Sequence, residues 1–226
     1  MDRKIKVLGV EIDNYYLDEV MTTVVGFLEN DSLNTIDMIT TSLLMAAEEN
    51  MQLKDHIEQM DITIIGDIEV LAAANIQDEK RYEEVAQNEF LGTLLMYAAN
   101  CEKSICLLVE SEKQLEEFEE YFKEQYENLN IVKSFVLDGE NQDVDDVINE
   151  INSLSPDILL ASLQSPFQEA FILENKLKLS AKLYVGLGKY KKINQSLGLK
   201  PGWLSKLLDR TLFKHMVSKY KGEKGE

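Results

Sequence analysis

Several polar residues lie directly after apolar runs that predict β-strands, and their types suit ligand binding. Thr40 and Ser42 follow one such run, Asp67 follows the next, and Gln168 and Glu169 follow a later one. In open α/β sheets, ligands bind beyond the carboxyl ends of the strands. The hydroxyl, carboxylate and amide groups at these ends are therefore candidate ligand contacts.

Each candidate also has a structural interpretation. Thr40 and Ser42 could simply close a turn, and Asp67 could be a turn residue, because a Gly-Asp pair suits tight backbone geometry. Gln168 and Glu169 stand where a helix is expected to begin, so they could cap it and offset its dipole. The residue types alone leave both interpretations open.

Two glycines follow the last predicted strand. Gly186 and Gly188 either mark a tight exit from the strand or let a ligand approach the backbone closely. By contrast, the loop after the apolar run 104–109 is Glu110-Ser111 and contains no glycine. It does not resemble a dinucleotide cradle, which argues against NAD, FAD and P-loop sites.

Short apolar runs alternate with longer amphipathic segments along the chain. This order predicts an α/β fold with a mostly parallel, Rossmann-like, doubly wound sheet and helices on both faces. The predicted strands cover residues 4–10, 35–40, 61–65, 104–109, 131–137, 157–163 and 182–187. The predicted helices cover residues 16–29, 43–50, 83–99, 112–128, 144–154 and 166–177. The helix at 83–99 is either continuous or broken near Gly92, and Ser111 with Gln114 fits a capping box.

Cysteine and histidine usage argues against a metal site. Cys101 and Cys106 flank the start of an apolar strand, and His56 and His215 are each solitary in the sequence. No metal-ligand spacing results, and buried free cysteine is common, so a reduced cytosolic protein is the simplest interpretation. The charged start of the chain is followed by only a short apolar run, which argues against a signal peptide.

Charge is unevenly distributed along the chain. The net charge is −18, but residues 181–226 carry a net charge of +8 and the remainder −26. The basic tail could meet phosphates or an anionic membrane face, or it could be a solvated segment that balances an acidic body. The negative remainder argues against binding to duplex nucleic acid.

The segment LQSPFQE at residues 163–169 is similar to the Gly-x-Pro-Lys-Gln-Glu segment of the WecG/TagA/CpsF family of bacterial glycosyltransferases. Pro166, Gln168 and Glu169 match, whereas Gln164 and Phe167 replace the glycine and the lysine. The segment lies between a predicted buried strand and a predicted helix, as a ligand-binding loop of this fold class should.

Further landmarks follow in the family's order. VLGVEIDNYYLDEV resembles the first strand and helix, and ITTSLLMAA resembles the Thr-x-Asn turn, with Thr40 matching and Ser42 replacing the asparagine. MDITIIGDIEV resembles the Pro-Asp-Gly segment, and VGLGKYKKI resembles the glycine turn, with Gly186 and Gly188 matching. KPGWLSKLLDRTLFK resembles the Pro-x-Trp tail, so the landmarks cover nearly the whole chain.

The resemblance implies transfer of a hexose or N-acetylhexosamine, of the N-acetylmannosamine type, from a UDP-sugar to a polyprenyl-diphosphate-linked saccharide. The setting would be cell-envelope polysaccharide or teichoic acid synthesis at the cytoplasmic membrane face. The chemistry would be an inverting displacement, in which a carboxylate deprotonates the acceptor hydroxyl. Cationic side chains and helix N-termini would offset the negative charge that develops on the departing UDP. No metal and no cofactor is then expected.

The resemblance also implies how the chain is divided and which residues depart from the family pattern. One compact unit would contain an acceptor-side α/β lobe at 1–100, a nucleotide-side Rossmann-like lobe at 101–195 and a basic helical tail at 196–226. Gly66 stands where the family has its proposed base, which makes Asp67 the candidate base, displaced by one residue. Lys192 replaces the aspartate after the glycine turn, and Arg210 replaces the tail glutamate as a candidate substrate contact.

Two hypotheses of different class follow. The first is a UDP-sugar glycosyltransferase with a rearranged site that acts on a lipid-linked acceptor. The second is a non-catalytic relative that binds a partner enzyme such as an active paralogue, a saccharide or the membrane, and regulates envelope polymer assembly. A flavodoxin-like signalling module fits the order of elements but leaves the motifs unexplained. The sequence leaves a homo-oligomer open.

Overall fold

The computed structural model describes residues 3–126, 128–137, 144–188, 213–214, 216–218 and 220–222. Arg210, Lys192, the tryptophan of the tail motif and most of the predicted basic tail lie outside these residues. The predicted α/β class is confirmed, because a parallel sheet is flanked by helices on both faces.

The described part of the chain begins with a β-hairpin, so the single strand predicted at 4–10 is wrong. β1 (Lys4–Val7) pairs antiparallel with β2 (Val10–Asp13). Leu8 and Gly9 between them have φ angles of 49° and 78°. A two-residue turn with positive φ at both positions matches the twist of a hairpin. Because this turn lies within an apolar stretch, no polar turn residues mark the break.

Six strands form one parallel sheet in the order β4-β3-β8-β7-β5-β6. The central strands are buried along their whole length, as parallel strands covered on both faces must be. The strands are β3 (Asn34–Ile39), β4 (Ile62–Ile65), β5 (Ser104–Val109), β6 (Asn130–Val136), β7 (Ile158–Ser162) and β8 (Leu183–Gly186).

Helices cover both faces of this sheet. Side chains of β5 alternate between the two faces, as expected along a strand. One face carries Ile105, Leu107 and Val109, which pack against three helices, and the other carries Cys106 and Leu108, which pack against two more. The first group is α1, α6 and α7, and the second is α8 and α9. The helices are α1 (Leu17–Glu29), α2 (Thr41–Glu49), α3 (Met51–Glu58), α4 (Ile68–Ala73), α5 (Glu79–Ala86), α6 (Glu89–Asn100), α7 (Glu112–Gln125), α8 (Val144–Leu154) and α9 (Phe167–Asn175).

Two predicted helix details need correction. The helix predicted at 83–99 is a pair, but the break falls at Asn88, which has a φ of 54°, and not at Gly92. Asparagine tolerates this left-handed backbone better than most residues. Ser111 Oγ accepts a hydrogen bond from Gln114 N at 3.3 Å, but Gln114 Oε1 accepts from Glu110 N at 2.8 Å, so the reciprocal capping box does not form.

Reciprocal hydrogen bonds tie neighbouring strands together at their amino ends. Asp61 Oδ2 accepts from Thr35 N and Oγ1 at 2.8 and 2.9 Å, and Thr35 Oγ1 accepts from Asp61 N at 3.1 Å. Asp157 makes the same three bonds with Ser104, at 2.9, 3.0 and 3.0 Å. We call these two pairs the amino-end clamps. They fix the register of β3 against β4 and of β5 against β7.

The two predicted lobes share this one sheet. β8, from the predicted 101–195 lobe, pairs with β3, from the predicted 1–100 lobe. The described tail residues pack against the hairpin and α4: Phe213 is 1% exposed, and Lys221 Nζ donates to Ala73 O at 2.9 Å. The lobe boundary itself stays a prediction.

Candidate functional site

The predicted site residues within the described part of the chain lie along one edge of the sheet. β4, β3, β8 and β7 are neighbours in that order and run parallel, so their carboxyl ends meet at the same edge. Asp67 follows β4, Thr40 follows β3 and Gly188 follows β8. Gln168 lies at the start of α9, just past the loop after β7. The sequence-predicted clustering is therefore present, although two separate groups form within it.

The first group joins the loops after β3 and β4. Thr40 is the N-cap of α2, where its Oγ1 accepts from Leu43 N at 3.2 Å and lies 3.0 Å from Ser42 Oγ. Asp67 Oδ2 accepts from Thr41 N at 2.8 Å and from Thr41 Oγ1 at 3.1 Å. The Asp67 carboxylate thus stabilises the N-terminus of α2, where a negative charge is favourable.

Gly66, at the position of the family's proposed base, lies close to the neighbouring loop. Its N–H donates to Ile39 O at 2.8 Å. A Cβ built at Gly66 would lie 3.3 Å from Ile39 O and 3.5 Å from Thr40 Cγ2. A side chain at this position would therefore require the loop after β3 to shift. This close contact is a structural reason for glycine at position 66.

The second group is centred on Gln168. Its Oε1 accepts from Gly188 N at 2.9 Å and from Leu163 N at 3.3 Å. Its Nε2 donates to Asp37 Oδ1 at 3.0 Å and lies 3.5 Å from Glu169 Oε1. The Gln168 side chain thus connects the carboxyl ends of β7 and β8 with β3. We call these contacts the Gln168 latch.

Both carboxyl groups beside this latch are buried. Asp37 is 1% exposed and Glu169 is fully buried, while Ser165 Oγ donates to Glu169 Oε1 at 2.7 Å. Burial, followed by the negative charge of Glu169, raises the pKa of Asp37 well above its usual value. Burial also raises the pKa of Glu169, although the hydrogen bond from Ser165 opposes this. Asp37 Oδ2 and Glu169 Oε2 have no hydrogen-bond partner among the described residues.

Gly186 is required by the latch. A Cβ built there would lie 2.6 Å from Gln168 Nε2 and 2.7 Å from Asp37 Oδ1. The close approach that suggested a ligand is therefore made by the protein's own side chains. Gly188 has a φ of 61°, a left-handed backbone that favours glycine, and within the described part of the chain no atom lies within 4 Å of a Cβ built there.

Sequence reasoning missed Asp37. It lies within the strand sequence NTIDMI, and an acidic residue inside an otherwise apolar run was the available signal. Pro166 precedes α9 as its N-cap, next to the latch, and the Ser165–Pro166 peptide bond is cis. Arg210 lies outside the described residues. The roles predicted for these residues in binding stay predictions.

A second buried polar group was also missed. Arg81 and Glu84 form an ion pair at 2.5 Å beside a cavity of about 30 Å³, and both residues are buried. A cavity of this size holds about one water molecule. Among the described residues, no group of three or more His, Cys, Asp or Glu side chains could hold a metal ion.

The sheet, its helices on both faces and the polar carboxyl edge define a Rossmann-like α/β protein. The sequence model of the glycosyl transferase WecG/TagA/CpsF family matches residues 5–193. The chain belongs to this family, which confirms the resemblance drawn from the ordered motifs. A search of curated proteins gives no match.

Family membership indicates a glycosyltransferase-like role in the synthesis of cell-envelope polymers. In general terms it implies a sugar-nucleotide donor and a lipid-linked acceptor. Within the part of the chain that the structure describes, every helix is too short or too polar to span a bilayer.

Proposed function

We propose that the protein transfers a hexose or N-acetylhexosamine, of the N-acetylmannosamine type, from a UDP-sugar to a polyprenyl-diphosphate-linked saccharide. The observation that carries this proposal is the family match over residues 5–193, which includes every candidate site residue except Arg210. The reaction would take place at the inner face of the cell membrane, in polysaccharide or teichoic acid synthesis.

The proposed chemistry is an inverting displacement in which Asp67 is the general base. Its carboxylate would take the proton of the acceptor hydroxyl, the acceptor oxygen would form the new glycosidic bond, and UDP would leave with the electrons of the broken bond. Two observations support this role: Asp67 lies at the carboxyl edge, and its Oδ2 is oriented by two hydrogen bonds from Thr41. No metal enters this scheme.

The donor would lie across the loops after β3, β7 and β8. Thr40 and Ser42 offer hydroxyl groups at the start of α2, beside Asp67, and these can hydrogen-bond to the sugar hydroxyls of the donor. The turn at Gly188 offers backbone that a ligand can approach, since no atom of the described residues lies within 4 Å of a Cβ built there. Arg210 would supply positive charge for the departing UDP.

A catalytically inactive family member is the second candidate. The observation that favours it is that Gly66 takes the position of the family's base, where a Cβ would lie 3.3 Å from Ile39 O at the end of β3. In that case the protein would bind an active paralogue, a saccharide or the anionic membrane surface, and would regulate envelope polymer assembly.

Thermal-shift titration with UDP and several UDP-sugars, with ADP as a control, tests the donor site first. A ligand at about a hundred times its dissociation constant should stabilise the fold by about 2.7 kcal/mol. For a chain of this size, about 1 kcal/mol changes the Tm by roughly 2–4 °C. A UDP-selective shift supports the enzyme. The absence of any shift in a protein that melts cooperatively would count against it and favour the regulatory role.

A transfer assay then separates the two candidates. Asp67→Asn keeps an oxygen that can accept from Thr41 N but removes the base, so a transferase should lose about 10²-fold or more in kcat while its Tm changes little. Asp55→Asn, on an exposed part of α3, is the matched control and should keep full activity. Equal transfer by Asp67→Asn and the wild type would show that Asp67 is not the base.

A further inference from the structure

Two buried carboxyl groups lie on either side of one amide nitrogen beside the Gln168 latch. Gln168 Nε2 is 3.0 Å from Asp37 Oδ1 and 3.5 Å from Glu169 Oε1, which brings the two carboxyl groups close together. Both residues are at most 1% exposed. Two carboxylates at such a separation in a water-excluded site cannot both be ionised without a strong compensating charge.

The charges that bear on this pair do not supply that compensation. On α3, His56 lies near Glu169 and favours its ionised form, but it has the smallest effect of the contributing groups. On β8, the phenol of Tyr184 donates to Gln168 O at 3.4 Å, and burial, Asp37 and Glu169 all raise the pKa of that phenol. On β2, Asp13 bonds to Thr63 and pairs with Lys4 at 3.0 Å.

We propose that Asp37 and Glu169 hold one proton between them at neutral pH, and that this proton makes Asp37 a positioning residue for the Gln168 latch. The two oxygens without partners among the described residues, Asp37 Oδ2 and Glu169 Oε2, are the atoms on which the proton resides. A proton on either oxygen removes a negative charge that would otherwise be buried without a partner.

The orientation of the Gln168 side chain explains how the shared proton affects the Gly188 turn at the carboxyl edge of the sheet. Its Oε1 must face the N–H groups of Leu163 and Gly188, so its Nε2 can only point toward the carboxyl pair. With the pair singly protonated, Asp37 accepts from Nε2 and holds the amide in place. With the pair fully ionised, repulsion between Asp37 and Glu169 drives them apart and releases the amide. The Gly188 turn is then no longer tied to β3.

Carbon NMR of the Asp and Glu carboxyl groups in the full chain tests the proton directly. One carboxyl of the pair should remain protonated at neutral pH, and in Glu169→Gln the titration of Asp37 should move back toward its ordinary range because its like-charged neighbour is gone. The ring of His56 is followed in the same titration so that its proton is counted separately. Two carboxyl groups in the ionised form at neutral pH would overturn the proposal.

Hydrogen exchange at the Gly188 amide tests the positioning role. Asp37→Ala should speed exchange at Gly188 by about threefold to tenfold, as expected for one lost hydrogen bond, whereas Asp37→Asn, which keeps an acceptor, should not. In the wild type, exchange corrected for its intrinsic pH dependence should rise as the pair loses its proton, and in Asp37→Asn it should stay flat. Asp31→Asn, at an exposed position before β3, is the control and should leave Gly188 unchanged.

Unchanged Gly188 exchange in Asp37→Ala, or the same pH profile in Asp37→Asn as in the wild type, would overturn the positioning role. These measurements use no ligand, so they succeed or fail independently of the proposed function. Only the further consequence, that UDP affinity follows the same pH profile, rests on that proposed function.

Discussion

Replacing Gly186 by alanine should destabilise the protein through two contacts that the structure defines. The new Cβ would lie 2.6 Å from Gln168 Nε2 and 2.7 Å from Asp37 Oδ1, whereas ordinary contacts begin near 3.4 Å. Neither neighbour can move easily, because Gln168 is held by the N–H groups of Gly188 and Leu163. One of the latch contacts must therefore break.

Overpacking of this kind costs about 1–3 kcal/mol, and a broken hydrogen bond that leaves a buried group unpaired costs about 1–3 kcal/mol more. We expect a loss of about 2–6 kcal/mol in the free energy of unfolding, or a Tm lower by roughly 4–24 °C. Calorimetry or denaturant unfolding of Gly186→Ala against the wild type measures this directly.

Two glycine variants serve as matched controls. Gly26→Ala, in α1 with no atom within 4 Å of the new Cβ, should stabilise the protein by about 0.5–1 kcal/mol. Gly188→Ala meets no clash but places a side chain at a φ of 61°, which should cost about 1–2 kcal/mol. If Gly186→Ala is as stable as the wild type, the geometry of the latch has been misjudged. Combined with Gln168→Ala, its effect should be less than additive.

Two further predictions concern parts of the fold away from the latch. Burial opposes ionisation of Asp157, but hydrogen bonds from Ser104 outweigh burial and hold the pKa of this carboxyl below its usual value. The ionised Asp157 therefore stabilises the fold above about pH 3.9, and this stabilisation is lost as the pH falls through the folded-state pKa. Asp157→Asn should therefore unfold at lower urea concentration than the wild type at neutral pH. The difference between the two proteins in the free energy of unfolding should disappear in acid, and a difference independent of pH would contradict this. Phe213→Ala should cost about 3–5 kcal/mol, since Phe213 is 1% exposed, whereas Leu177→Ala at a fully exposed position should change stability by less than about 0.5 kcal/mol. Equal Tm values for the two variants would show that the tail contributes nothing to folding.

The central strands could be predicted from the sequence because burial on both faces leaves a continuous apolar signal. β5 matches its predicted range at both ends, and β7 and β8 lie within theirs. The hairpin was missed because its turn, Leu8-Gly9, has an apolar residue and lies inside an apolar run. α3 and α4 were missed because each is short and follows directly on another element.

The carboxyl-edge residues could be predicted as a group, because strand ends of a parallel sheet meet at one edge. Their partners could not. Asp37 and Gln168 are separated by 131 positions, and no local pattern indicates that they bond. Gly186 was noted for its backbone freedom, but its actual constraint comes from side chains on β3 and α9, which only the packed fold brings together.

The amino-end clamps suggest how this family member could diverge at its candidate site without losing its fold. Thr35 with Asp61 and Ser104 with Asp157 hold the strand register at the edge opposite the candidate site. Changes at the carboxyl edge, such as glycine at position 66, therefore leave the alignment of the strands untouched. Evolution could exchange the reactive groups at one end of the sheet while the other end kept the same scaffold in register.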